Sequence, residues 1–200
     1  LGTWEDYLSM AAYLKMPMDQ DMVLRPRDLL LAHREVLSKC GGKEKGLRVV
    51  EIANKFPRVE AVLASIKEKY EYVGKTFSIV VPEKIEQIIE EGQALKHCLD
   101  RSDRYFANQG SYIVFLRRTK AMEQPYYTLE IEPDGTTRQK RTVGDNQNND
   151  YHRAEKFLKK WQAAIRPRLS QEDFERQEIS RQLRMYELES LRNDKVTVHG

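Results

Sequence analysis

The stretch from Ser111 to Thr142 constrains this chain more than any other. It holds three consecutive segments suited to extended backbone: Ser111 to Arg118 (SYIVFLRR), Tyr126 to Glu132 (YYTLEIE) and Thr136 to Thr142 (TTRQKRT). β-branched and aromatic residues dominate the first two, and such side chains pack well on a pleated surface. Between the last two stands Pro133-Asp134-Gly135, a strong reversal signal. A chain that writes strand, strand, turn, strand over so short a span is committed to an antiparallel sheet.

The middle segment alternates cleanly. Tyr127, Leu129 and Ile131 share one face and should meet the core, while Thr128, Glu130 and Glu132 share the other. The polar face then displays Thr128 and Glu130. Their cross-strand partners depend on the turn. A two-residue Asp134-Gly135 turn pairs Glu130 with Gln139 and Thr128 with Arg141. A three-residue Pro133-Asp134-Gly135 loop pairs Glu130 with Arg138 and Thr128 with Lys140. Both registers stay open at this level, and both set a carboxylate beside polar or cationic groups.

The remainder reads as helix around that sheet. Trp4, Tyr7, Leu8, Ala11 and Leu14 recur at helical spacing behind Thr3 and stop at Met16-Pro17-Met18. A second helix begins near Pro26 with Asp28 at its positive end and stops at Cys40-Gly41-Gly42. Helix continues from about Lys43 to Tyr72, interrupted or kinked at Pro57. The run from Thr76 to Val81 is β-prone. Pro82 then opens a helix lined by Ile85, Ile88 and Ile89, weakened at Gly92, that continues or restarts through Leu99. A helix with Ala154, Phe157, Leu158 and Trp161 follows the polar 144–150 loop. The last helix, from about Ser170 to Arg192, carries a Ser170-x-x-Asp173 capping pattern; its Phe174, Leu183, Tyr186 and Leu191 suit packing on another helix or chain. The expected fold class is α+β: N-terminal helices over 1–72, a small antiparallel sheet with flanking helices over 73–168, and a C-terminal helical extension over 169–200.

Charge narrows the partners. Residues 95–170 carry 15 Lys+Arg against 9 Asp+Glu, while the segments on either side are slightly acidic. A local excess of +6 attracts a polyanion such as RNA or DNA, or is a solvated surface with no partner. No apolar run approaches the roughly 20 residues of a membrane span, and the start shows no signal peptide. Two cysteines, Cys40 and Cys98, make no disulfide framework and fit a reducing cytoplasm. A start at Leu1 instead of Met fits a fragment or a processed chain.

Chemistry-bearing residues gather around the strands. His97 suits general acid work, since an unperturbed imidazole exchanges protons near neutrality; the alternative is a hydrogen-bonded structural histidine. Cys98 is a neighbour of His97, but adjacent helical residues diverge by about 100°, so a buried structural thiol is the better reading. A zinc site would need further ligands, and Cys40, His33 and His152 show no paired spacing, so neither metal nor cofactor is expected. Tyr112, Phe115, Tyr126 and Tyr127 are core at strand alternation, or else a stacking platform for bases.

One element is familiar. Glu91-Gly92-Gln93-Ala94-Leu95-Lys96-His97-Cys98-Leu99 resembles the "EG..L.HCV" element of the PcfJ-like family of conjugative plasmids and other bacterial mobile elements. The resemblance runs on through Tyr105, the strand Tyr112 to Arg117, Pro125 to Glu130, Gln139, Arg141 and either Asn146 or Asn148, and ends near Phe157 and Trp161. Trp4 to Leu8 and Pro26 to His33 resemble the helical region before it. Leu99 stands where Val is common in the family. The resemblance implies a mobile-element setting and names no reaction.

Three functions follow. The first is a nucleic-acid-binding accessory module, with phosphate contacts from Arg117, Arg118, Arg138, Lys140 and Arg141. The second is a protein-interaction module with a buried polar network, docking through the last helix. The third is a metal-independent ribonuclease using Glu130 and His97 as base and acid, with Arg117 or Arg141 as the charge-stabilising cation. Cys98, Tyr105, Thr128, Gln139, Asn146 and Asn148 complete the candidate ligand-binding set. Whether the chain is an enzyme is left open by its sequence.

Overall fold

The computed structural model describes residues 2–39, 43–96, 99, 103–107, 110–143 and 151–197. The fold is α+β: N-terminal helices, an antiparallel sheet flanked by helices, and a long C-terminal helix.

Helices α1 (Gly2–Tyr13), α2 (Asp21–Leu24), α3 (Leu29–Lys39) and α4 (Lys43–Lys55) enclose a small core of Tyr7, Met10, Ala11, Val23, Val36 and Val50. Asp28 caps α3, accepting from the Leu31 amide at 2.9 Å, so the helix starts just after the residue that satisfies its free N–H groups. Pro57 ends α4 outright, and α5 (Val59–Tyr70) restarts beyond Phe56-Pro57-Arg58. Val49 and Ile52 of α4 and Leu63, Ile66 and Tyr70 of α5 belong to the main core with the sheet.

The sheet is a five-stranded meander, β1 (Tyr72–Val73), β2 (Phe77–Val80), β3 (Tyr112–Arg118), β4 (Tyr127–Ile131) and β5 (Thr137–Arg141), each strand pairing antiparallel with the next. β1 is too short to announce itself by composition. Its turn is tight enough to need Gly74, where a Cβ would lie 2.6 Å from the Phe77 carbonyl oxygen. Helix α6 (Ile85–Leu95) passes through Gly92 and stops where Lys96 turns left-handed (φ 53°). A short α7 (Arg104–Ala107) precedes β3.

Helices cover both faces of the sheet. On one, Tyr112, Val114, Leu116, Tyr127, Leu129 and Ile131 share the core with Leu158, Trp161 and Ile165 of α8 (Tyr151–Ile165). On the other, α6 lays Glu91 against β3 and β4. The polar face of β4 is therefore not a displayed surface: Thr128, Glu130 and Glu132 are 5%, 3% and 0% exposed. The four aromatics Tyr112, Phe115, Tyr126 and Tyr127 are all buried, so they build core and offer no stacking platform.

The β4–β5 hairpin combines both expected registers. Its loop is the three-residue form, with Gly135 left-handed (φ 83°) and the Glu132 amide bonded to the Thr136 carbonyl at 2.8 Å. Ile131 accordingly faces Thr137. A register shift then skips Arg138, and Glu130 faces Gln139 while Thr128 faces Arg141. The bulge converts one register into the other within a single strand.

The last helix, α9 (Gln171–Thr197), is capped by Ser170 and Asp173: the Asp173 carboxylate accepts from the Ser170 amide (2.7 Å) and hydroxyl (2.9 Å). It docks by polar anchors. Lys69 of α5 pairs with Asp173 at 2.7 Å, and Glu132 accepts from Ser180 (2.5 Å) and Arg184 (3.1 Å). Leu183 and Tyr186 remain exposed, and Leu191 lies among the side chains not described. No helix among the described residues is long and apolar enough to cross a membrane.

Candidate functional site

The covered face of the sheet holds a polar network in two parts. Strand alternation puts Ile113, Phe115 and Arg117 of β3 on the side of Thr128 and Glu130 of β4. Arg117 meets Glu91 through two hydrogen bonds, 2.8 and 2.5 Å, with both side chains buried. The paired geometry matches a guanidinium fork to both carboxylate oxygens. Phe115 flanks the guanidinium, 4.6 Å from ring centroid to Cζ. Thr128 lies 3.5 Å from Glu91, at the long limit of a hydrogen bond. In the second part Ser111 donates to Glu130 Oε1 at 2.6 Å, and Arg138 stands 3.6 Å from the same oxygen. Glu130 Oε2 is buried and accepts no hydrogen bond among the described residues.

A basic groove opens beside this network, between the edge strand β5 and α8. Its volume is about 690 Å³. Arg138, Lys140, Arg141 and Lys159 line it, and Glu155 is the single carboxylate of the lining among the described residues. The Lys140 ammonium sits 3.7 Å from the Tyr151 ring centroid, a cation–π contact that fixes it over α8. Burial pushes the Tyr151 phenol up to about 12, so it stays neutral at physiological pH. The groove walls are rigidly tied. Gln162 donates to the Gly135 carbonyl at 2.9 Å, Trp161 donates to the Tyr70 carbonyl at 2.8 Å, and Tyr70 in turn donates to the Pro133 carbonyl at 2.5 Å.

The expected site residues therefore divide. Glu130 and Gln139 are brought together as a cross-strand pair, as are Thr128 and Arg141. Arg138, Lys140 and Arg141 share the groove. Arg117 is on the network side, its charge engaged by Glu91. Arg118 lies at the far end of β3, its guanidinium 4.5 Å from the Tyr126 ring centroid. Tyr105 packs half-buried against the main core. His97, Cys98, Asn146 and Asn148 lie outside the described residues. Among the described residues no three His, Cys, Asp or Glu side chains gather as a metal set.

Sequence reasoning passes over Glu91, Ser111 and Lys159 as functional partners. Glu91 carries a signal: it is a carboxylate on a helix otherwise buried through Ile85, Ile88, Ile89 and Leu95, which calls for a cation opposite. Lys159 carries none, because a lysine on the exposed part of an amphipathic helix is ordinary.

Comparison with known proteins agrees with the resemblance seen in the motifs. The PcfJ-like protein family matches residues 3–156, which takes in the N-terminal helices, the whole sheet and the start of α8. An uncharacterized protein of Listeria innocua is 22% identical over 163 residues, covering 80% of this chain and 34% of its own length. The chain thus spans about a third of that relative. No solved structure matches. With more than half its length matched from the first helix to α8, the chain belongs to the PcfJ-like protein family.

Proposed function

We propose that this chain binds nucleic acid along the β5–α8 groove, as an accessory module of a bacterial mobile element. The observation that carries the reading is that Arg138, Lys140, Arg141 and Lys159 border one groove in which Glu155 is the single carboxylate among the described residues. Clustered cations release counterions when they meet phosphates, so binding of this kind weakens as salt rises. Groove shape favours a single strand, since a duplex is entered by a protruding helix or ribbon, whereas a concave basic channel tracks one backbone. Arg117 drops out of the phosphate-binding set because Glu91 and burial already occupy it, and Arg138, whose side chain is 11% exposed beside Glu130, is the least available of the four groove cations.

The test is binding of labelled single-stranded RNA and DNA across a salt series, in EDTA. The triple variant Arg138→Glu, Lys140→Glu, Lys159→Glu should lose at least tenfold in affinity. Its salt slope should fall by about 0.7 for each phosphate that the variant no longer neutralises. A control of equal charge change in the N-terminal helical region (Arg27→Glu, Arg34→Glu, Lys39→Glu) should bind more nearly as the parent does. Equal loss in both variants would reduce the effect to net charge and sink the groove assignment. Cleavage of RNA in EDTA, abolished by His97→Ala and by Glu130→Ala, would instead favour the ribonuclease reading.

A second reading has its own observation. Ile179, Leu183 and Tyr186 recur at helical spacing on α9 and are 58%, 60% and 74% exposed. In this reading α9 is the docking helix of a protein-interaction module, held to the domain by Glu132 and Lys69, and the Glu91–Arg117 network is a structural fastening within it. A chain that binds no nucleic acid but captures a partner lost on Leu183→Lys would put this reading first.

A further inference from the structure

A separate apolar pocket of about 200 Å³ lies where α5, α6, α7 and β3 meet, on the network side of the sheet. Val62, Leu63, Ile88, Tyr105, Phe106 and Ile113 form its walls. That volume is below the roughly 300–1,000 Å³ of sites that take drug-sized molecules, so a single ring with a short substituent is the scale of occupant. The Phe56-Pro57-Arg58 turn between α4 and α5 forms its mouth.

Lys55 and Arg58 both border the pocket, and among the described residues neither Asp nor Glu lines it. Lys55 is paired with Asp103, which Arg48 also holds at 2.7 Å. Arg58 is exposed and has no carboxylate within ion-pair distance among the described residues. An apolar cup with an unmatched guanidinium at its rim complements a ring that carries an anionic group: the ring is desolvated in the cup, and the anion stays at the mouth, where the fork of Arg58 can hold it.

We propose that this pocket is a binding site for a small aromatic carboxylate, its ring between Val62, Ile88, Tyr105 and Ile113 and its carboxylate on Arg58. The assignment is independent of the groove: Arg58 and the six wall residues are all absent from the groove lining.

The probe is 3-phenylpropionate, with its neutral amide as the matched control, titrated into the full chain labelled at Ile, Leu and Val methyls. Saturable shifts should appear at Val62, Leu63, Ile88 and Ile113. The acid should bind about three- to tenfold more tightly than the amide, the range of one exposed charge-assisted contact. Arg58→Gln, a surface change, should erase the acid's advantage while leaving amide binding in place. Val62→Phe, which fills the cup from a partly exposed position, should abolish binding of both. The charge-reversed groove variant should bind the acid as the parent does. Absence of saturable shifts at the four residues, or acid and amide of equal affinity in the parent, or an acid advantage that survives Arg58→Gln, would overturn the assignment.

Discussion

Arg117 and Glu91 form a two-pronged ion pair between β3 and the middle of α6, with side chains 8% and 2% exposed. The pair is the polar fastening between the sheet and the helix that covers it. Removing one partner strands a charge in a place with little water, so Arg117→Ala should destabilise the chain by roughly 3–5 kcal/mol. Replacing both, with Glu91→Leu and Arg117→Met, should cost much less, because the desolvation penalty goes with the charges. Denaturant titration of the two variants checks the order. Equal losses would mean that the pair is not what α6 rests on.

Gly135 closes the β4–β5 loop at φ 83°, and a Cβ there would lie 2.6 Å from the Ile165 Cδ1 atom. The first fact penalises any L side chain, and the second demands that Ile165 move. Gly135→Ala should therefore cost more than about 1 kcal/mol in thermal or chemical unfolding. The same change should loosen β5, so groove binding should weaken together with stability.

Asp173 links the start of α9 to α5. Burial works against its charge, but Lys69 and the Ser170 groups outweigh that and hold its carboxyl below the ordinary value. A depressed carboxyl stabilises the fold when ionised. Its contribution is complete above the unfolded value of about 3.9 and is lost as pH falls through the lower folded value. Hydrogen exchange of the α9 amides should accelerate in that acid window before the sheet opens. Asp173→Asn should bring faster exchange to neutral pH and cost about 1 kcal/mol of capping energy. A helix that exchanges no faster in Asp173→Asn would show that Glu132 alone anchors it.

Tyr151 gives the opposite pH signature. Burial holds its phenol neutral up to about 12, with Glu155 acting in the same direction. The neutral form is favoured in the folded chain, so this contribution is whole below the ordinary tyrosine value of about 10 and disappears as pH climbs through the folded value. Tyr70, raised by burial in the same sense, adds to it. Spectrophotometric titration should show late-ionising tyrosines, and Tyr151→Phe should flatten the alkaline loss of stability. Tyr151 ionising near 10 in the folded chain would contradict the packing described for α8.

The periodic parts of this architecture are legible in the sequence, and the tertiary parts are not. Alternation locates β3 and β4 and assigns Tyr127, Leu129 and Ile131 to the core correctly. It treats the other face as displayed, because a strand's own pattern records polarity, and polarity is compatible with burial once a partner such as Glu91 or Ser111 is supplied from elsewhere. The Pro133-Asp134-Gly135 signal identifies the loop. It does not identify the pairing of Glu130, because the shift that decides it occurs at Arg138, inside a strand whose sequence carries no mark of a bulge. β1, α2 and α7 each span four residues or fewer, too short for a period to emerge. Of the candidate site, the cations of β5 are readable from the strand itself. Their joining with Lys159 depends on the packing of α8, which the chain reaches through residues 144–150.

The irregular pairing at Arg138 also bears on what the sheet does at its open side. β5 is an outermost strand, and a flat outermost strand invites a second chain to add to it. This one is five residues long, includes Arg138, Lys140 and Arg141, and twists away from regular pairing at the shift. An incoming strand would meet mismatched spacing and repelling charge unless it were itself acidic. Charges of this kind on an outermost strand disfavour strand addition by a second copy, so neutralising Arg138, Lys140 and Arg141 should raise the chain's tendency to form fibrous aggregates on storage.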